Sequence, residues 1–304
     1  MVMLCFAFVG GANYIGTSSA PVEILKFIDA EKITHTLIVP SVMTTLLQEL
    51  TRSQFNLSSL KCIFYGTAPI PFETLNAAMK MFGCSFCQVY GATETFVPMT
   101  MLLPEDHVQD GSPLQKERLT SAGTEVFGVE IKVVDGDDNE LPIGQAGEIV
   151  ARGDNIMKGY WNLESLTEKT LRNGWYHTGD IGKIDEHGYV YILDREKDMI
   201  ISGGENIYPR EVEMVLERHP GVAYCAVIGV PDEQWGESVK ALIVKRPGQE
   251  VDANTLLHLC QTHLAGYKKP RSIEFRENLP MSAVGKILKR EIREEYWVGR
   301  SRKI

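Results

Sequence analysis

The sequence predicts an α/β multidomain protein, in which a large α/β domain carrying a small β subdomain is followed by a small α+β domain. Three observations predict it. Short apolar runs alternate with amphipathic stretches up to about residue 100, as strands alternate with helices in a layered α/β region. From Gly128 to Arg152, and again from Asp180 to Leu193, the pattern becomes that of paired strands with turn residues between them. After Arg195 helical and strand patterns are mixed once more. A length of 304 residues suits about two domains. The expected division is 1–195, with the β subdomain at about 120–195, and then 196–304.

The elements follow in order. Met1 to Val9 is apolar but lacks the basic region and cleavage site of a signal peptide, and is well short of the roughly 20 residues that span a bilayer. It reads as a core segment whose packing partner lies upstream. Pro21 opens a helix with Val22, Leu25 and Ile28 on one face. Thr36 to Val39 is a short strand, and Ser41 is the expected cap of a helix carrying Met43, Leu46, Leu47 and Leu50. Cys62 to Tyr65 is strand-like, Glu73 to Met81 helical, and residues 104–120 loop-like. Val129, Ile131 and Val133 alternate, Asp135 to Asn139 supplies a turn, and Gly147 to Ala151 is a strand. A hairpin turns at Glu186-His187-Gly188. Pro209 starts a helix with Val212, Val215 and Leu216 that ends at Pro220-Gly221. Strands are expected at Ala223 to Val230, Val239 to Val244 and Ser272 to Phe275. Helices are expected at Thr255 to Leu264, closed by Gly266, and at Ile287 to Tyr296.

Composition excludes several functions. The formal net charge of −9 argues against nucleic-acid binding, which calls for a basic patch. The six cysteines are scattered through a mid-sized chain rather than packed as a disulfide framework. Cys84-Ser-Phe-Cys87 has the spacing of a metal half-site, but no second pair accompanies it, and Cys84, Phe86 and Gln88 alternate as strand residues do. The expectation is a reduced, cytoplasmic protein without a transmembrane segment.

Five glycine-punctuated segments carry chemistry. They are Tyr65-Gly66-Thr67-Ala68-Pro69; Gln88 to Thr95, containing Tyr90-Gly91-Ala92-Thr93-Glu94; Trp175 to Asp180; Asp194 to Asn206; and Ser282-Ala283-Val284-Gly285-Lys286. Each alone reads most simply as a turn or an exposed loop. Together, in this order, they resemble the superfamily of adenylate-forming enzymes, which includes acyl-CoA synthetases, peptide-synthetase adenylation domains and luciferases. Tyr90 to Glu94 is similar to the family's Tyr-Gly-x-Thr-Glu signature, Gly174 to Asp180 to its Thr-Gly-Asp segment, Asp194 to Glu213 to the segment joining its two domains, and Gly285-Lys286 to its terminal lysine motif.

The resemblance implies attack of a carboxylate on the α-phosphate of ATP, giving an acyl-adenylate, and then attack by a thiol. Both partners of the first step are anions, so positive charge must lie between them. Lys286 is the implied bridge. Glu94 is the implied magnesium ligand, and Thr93 an implied hydrogen-bond donor to phosphate. Asp180 would accept the ribose hydroxyls, with Arg195 nearby. Gly66, Thr67 and Ala68 are small enough for adenine to approach the backbone. Tyr90 offers a stacking face next to Gly91. Lys197 stands at the family's pivot, so that 196–304 becomes a mobile domain. Ser202, Gly203 and Gly204 would line the path of a pantetheine arm, with Trp235 and Lys269, in Tyr267-Lys268-Lys269-Pro270-Arg271, at the nucleotide end of coenzyme A.

The string from Asp198 to Pro209 resembles the acid–CoA ligase branch. The implied substrates are a fatty or aryl acid, ATP and coenzyme A. The family's lysine-bearing phosphate loop has its nearest counterpart in Gly16-Thr17-Ser18-Ser19, which has no lysine. The resemblance is therefore to the C-terminal portion of a ligase, with a truncated large α/β domain. A missing N-terminal part or a homo-oligomer would complete it. The alternative is a non-catalytic fragment or nucleotide-binding remnant.

Overall fold

The computed structural model describes residues 2–16, 18, 20–96, 98–282 and 286–299. Thr17 and Ser19 of the glycine–threonine–serine run lie outside these residues, as do Ala283, Val284 and Gly285 beside Lys286. The chain divides into two compact units, Met1–Thr178 with Gly182–Ile192, and Gly179–Ile181 with Leu193–Ile304.

The first unit opens with helix α1 (Val2–Phe8). Leu4, Phe8 and Val9 of this apolar start are exposed. Helices α2 (Pro21–Glu31), α3 (Pro40–Leu50) and α4 (Phe72–Phe82) alternate with strands β1 (His35–Ile38), β2 (Cys62–Gly66) and β3 (Ser85–Tyr90). The three strands are parallel and adjacent in the order β1-β2-β3. Leu25, Ile28, Met43, Leu46, Leu75 and Phe82 from the helices pack with Ile38, Ile63, Tyr65 and Phe86 from the strands in one core. Ser41 does not cap α3. Pro40 takes the first helical turn, where a missing N–H costs nothing, and Val39 stands at the cap position without a side-chain bond.

Antiparallel strands β4 (Thr100–Leu102) and β5 (Thr124–Glu125) extend the same sheet. Between them, in a stretch expected to be loop, lies helix α5 (Pro113–Arg118), capped by Ser112. The β subdomain contains β6 (Val129–Val134), β7 (Gly147–Gly153), α6 (Glu164–Thr170), β8 (Leu171–Arg172), β9 (Trp175–Ile184) and β10 (Val190–Arg195). Its sheet runs β10-β9-β7-β6, with β8 beside β9. Aspartates make its turns: Asp185 accepts from the backbone N–H of His187 and Tyr189, both at 2.9 Å.

The second unit contains β11 (Ile200–Ser202), β12 (Glu205–Ile207), α7 (Pro209–Leu216), β13 (Val222–Asp232), β14 (Gly236–Lys245), α8 (Ala253–His263), β15 (Ser272–Arg276) and α9 (Lys289–Glu294). The sheet order is β12-β11-β14-β13, and β15 joins β14 in parallel. Strand alternation builds two cores. Cys225, Val227, Ala241 and Ile243 meet α7 and α8, while Ala226, Ile228 and Leu242 meet Leu279 and Ile292. Gly266 does not close α8, which ends at His263 with Leu264 already extended at the cap position. The last helix is shorter than expected because Ile287 bridges Met281 instead of continuing it.

All six cysteines are free thiols, and Cys87 lies within β3. Among the described residues no cluster of three or more His, Cys, Asp or Glu is placed to hold a metal, and no helix is long and apolar enough to cross a membrane.

Candidate active site

In the first unit the sequence-predicted residues gather at one edge of a parallel sheet. Gly66 ends β2 opposite Val89 of β3, so Gly66-Thr67-Ala68 and Tyr90 to Glu94 leave the sheet side by side. The carboxyl ends of parallel strands are where open α/β sheets receive ligands. Gly66 is demanded by close approach: a Cβ there would lie 2.1 Å from the carbonyl oxygen of Val89. Thr67 follows at φ 67°, in the left-handed region. Gly66→Ala must force β2 and β3 apart. It is expected to destabilise the first unit by about 3 kcal/mol, read as a lowered urea midpoint.

The signature loop is held in shape by partners that the sequence reading did not single out. Thr95 is fully buried. Its hydroxyl accepts from the N–H of Ala92 at 3.1 Å and donates to the carbonyl of Ala92 at 3.0 Å. The Asn155 amide donates to the Thr95 carbonyl at 2.9 Å, and the Met157 N–H to the Glu94 carbonyl at 2.7 Å. The Tyr160 hydroxyl donates to Oε1 of Glu94 at 2.8 Å. Burial, and then the Glu94 carboxylate, raise the pKa of that phenol, which keeps it a donor. The only sequence signal for this support was the polar run after β7, which carries no periodicity.

Glu94 is half-buried and Thr93 exposed. A single carboxylate fits magnesium, which keeps several waters and takes its remaining oxygens from phosphate. Tyr90 packs at the margin of the cluster formed by Met99, Val129, Ala151 and Tyr176, so part of its ring is committed to the fold.

In the second unit the predicted nucleotide residues and the lysine come together. Nε of Arg195 pairs with Oδ1 of the buried Asp180 at 2.9 Å. Lys286 is exposed as a residue, yet its ammonium feels both groups. Desolvation lowers its pKa most, Arg195 adds to the lowering, and Asp180 opposes it. Two contacts tie its backbone to Ser282: the Lys286 N–H donates to Oγ of Ser282 at 3.1 Å, and the Ser282 N–H to the Lys286 carbonyl at 2.8 Å. Lys197 lies in a single 3₁₀ turn, Glu196–Asp198.

Gly203 and Gly204 have a structural reason of their own. They form the two-residue turn between β11 and β12 at φ 63° and 87°, where a twisted hairpin needs positive φ at both positions. The ring of Trp235 lies over Gly203, so close that a Cβ would sit 2.6 Å from its Cε3. Arg271 covers the same ring, 5.0 Å from its centroid. Ser202 is buried beneath the turn, and Lys269 is half-buried.

The comparisons with known proteins name a family for both units. Residues 1–161 match the AMP-binding enzyme family and residues 211–286 the AMP-binding enzyme C-terminal domain. The chain belongs to the AMP-binding enzyme family, within the adenylate-forming superfamily. It is 40% identical over 296 residues to a feruloyl-CoA synthase of Amycolatopsis sp, covering 97% of this chain and 58% of that one. It is 42% identical over 272 residues to the fatty acid–[acyl-carrier-protein] ligase ScoC of Streptomyces coeruleorubidus, covering 90% and 51%. The o-succinylbenzoate CoA synthetase MenE of Bacillus subtilis, solved with its acyl-adenylate intermediate, superimposes with a TM-score of 0.82 at 35% identity, covering 99% of this chain and 58% of that one. The chain thus spans little more than half the length of these relatives.

Proposed function

We propose that this chain supplies the adenylate-handling half of an ATP-dependent acid–thiol ligase, which activates a fatty or aryl acid as acyl-AMP and passes the acyl group to coenzyme A. The observation that carries this reading is the Asp180–Arg195 pair with Lys286 within its electrostatic reach. Asp180, paired with Arg195, is suited to accept two ribose hydroxyls. Lys286 places mobile positive charge where carboxylate and α-phosphate oxygens must approach one another. Thr93 and the small residues Gly66 to Ala68 receive phosphate and adenine at the strand edge. Tyr160 holds the Glu94 carboxylate in one orientation. Magnesium, when held by Glu94 and phosphate oxygens, would supply shielding of the phosphate charge.

Transfer to the thiol requires Lys286 to withdraw. Residues 196–304 are the proposed mobile domain, with Lys197 as the pivot. The turn at Gly203-Gly204 under Trp235 is the proposed path of the pantetheine arm, with Lys269 toward the coenzyme's phosphates.

A second reading is favoured by the chain's length relative to its relatives: by itself it is a nucleotide-binding body without catalysis. Acid-dependent exchange of pyrophosphate into ATP separates the two. The isolated chain is expected to exchange weakly or not at all, and a ligase in which this sequence follows a relative's N-terminal half is expected to exchange. No exchange by that fusion, with AMP still bound, would leave only the second reading.

A further inference from the structure

Helix α9 begins at Lys289, three residues after Lys286. Its Lys289 and Arg293 are four residues apart, hence on one face of the helix. Both are turned inward. Nζ of Lys289 lies 2.8 Å from Oε1 of Glu213 and 3.8 Å from Oδ2 of Asp194. Asp194 in turn accepts from the N–H of Arg195 and the N–H of Arg210, each at 2.7 Å. One turn further on, Nη1 of Arg293 donates to the carbonyl of Lys197 at 3.2 Å and to Oδ1 of Asp198 at 3.1 Å. The side chains of Arg293 and Asp198 are 12% and 14% exposed.

Docking α9 through Ile292 alone would have met the demand for burial. Burying an ammonium and a guanidinium as well costs desolvation that an apolar pair would not incur. What the charges add is direction: every acceptor they reach on the chain before β11 lies between Asp194 and Asp198. The carbonyl gripped by Arg293 belongs to Lys197 itself, and that carbonyl swings whenever ψ of Lys197 changes.

We infer that α9 is a latch on the hinge, with Arg293 the positioning residue that fixes the Lys197 peptide and Lys289 the one that anchors Asp194 ahead of it. This rests on the reading of Lys197 as the pivot. The latch ties α9 and the hinge into a single body. A pivot at Lys197 must therefore break the Arg293 bond to the Lys197 carbonyl, or carry α9 with it.

Hydrogen exchange by mass spectrometry on the full chain tests the latch without requiring catalysis. In Arg293→Met, amide exchange in the segment 195–199 is expected to rise about tenfold, the effect of losing a charge-assisted bond, while β13 and β14 stay protected. Arg293→Lys, which keeps the charge and one donor, is expected to recover part of that protection. The exposed Arg290→Met, whose guanidinium pairs only with the equally exposed Glu294 among the contacts described, is expected to leave 195–199 unchanged. Unaltered exchange at 195–199 in Arg293→Met overturns the inference. So does a uniform rise across 193–299, which would make Arg293 merely structural. Lys197→Pro in an active ligase tests the pivot separately. If 195–199 loosens in Arg293→Met but Lys197→Pro slows adenylation and thioester formation alike, the latch stands and the pivot falls.

Discussion

In a catalytically complete ligase, Lys286→Ala is expected to lower acyl-adenylate formation by about a thousandfold and to change thioester formation from supplied acyl-adenylate by less than about threefold. The asymmetry follows from charge. Only the first step brings two anions together, and only there does an ammonium stabilise what the ground state lacks. Single-turnover measurement of each step checks it, and equal loss in both would remove Lys286 from its assigned role. The pH dependence follows the same logic. The protonated ammonium is the active form, so activity is present below its pKa and lost above it. Desolvation and Arg195 place that pKa below the ordinary lysine value, so the alkaline limb falls earlier than a free lysine would allow. Asp180 pulls the other way, and Asp180→Asn should move the limb to still lower pH.

Lys289→Met is expected to destabilise the second unit by about 3 kcal/mol, read from its urea midpoint. The side chains of Asp194 and Glu213 are each only 6% exposed, and both face Lys289. Removing the ammonium leaves two carboxylates buried with less compensation. In the native protein burial lowers the pKa of Lys289, but Glu213 and Asp194 outweigh it and the net direction is up. The double variant Lys289→Met with Glu213→Leu should recover part of the loss, because it removes a stranded charge as well as a pair. Burial raises the pKa of Asp194, so its folded form favours the proton. The deficit of Lys289→Met should therefore shrink as pH falls through that raised value. A deficit independent of pH would mean that lost packing, not charge, is responsible.

Much of the fold was legible because periodicity and punctuation agreed. Pro21 and Pro209 each mark a helix start, and Val129 and Val133 alternate as a strand requires. The failures have local causes. Ser41 has the chemistry of a cap, but Pro40 had already set the first turn. Gly266 has the freedom of a C-cap, but α8 ends at His263. Helices α5 and α6 are short and bury no residues, so no apolar stripe announces them.

For the site, glycine and charged residues in short strings could be read. Their supports could not. Tyr160 and Asn155 stand 66 and 60 residues from the groups they hold, and Arg293 stands 96 from Lys197. Nothing in the local sequence of a tyrosine or arginine records so distant a partner. The meaning of Gly203 also changed: its conformation and the ring of Trp235 demand glycine whether or not a pantetheine arm passes.

The contrast between the two sheets bears on how the chain acquires its structure. Strands β1, β2 and β3 are parallel, so each pairing must wait until an intervening helix has closed a long loop. Strands β13 and β14 pair residue by residue from Asp232 opposite Gly236 to Tyr224 opposite Val244, across a turn of three residues. Pairing of this local kind nucleates quickly, and pairing across crossovers does so slowly. Of these two sheets, the one made later is thus the one whose topology lets it pair sooner, and the parallel sheet made before it is left open longer to association with other chains.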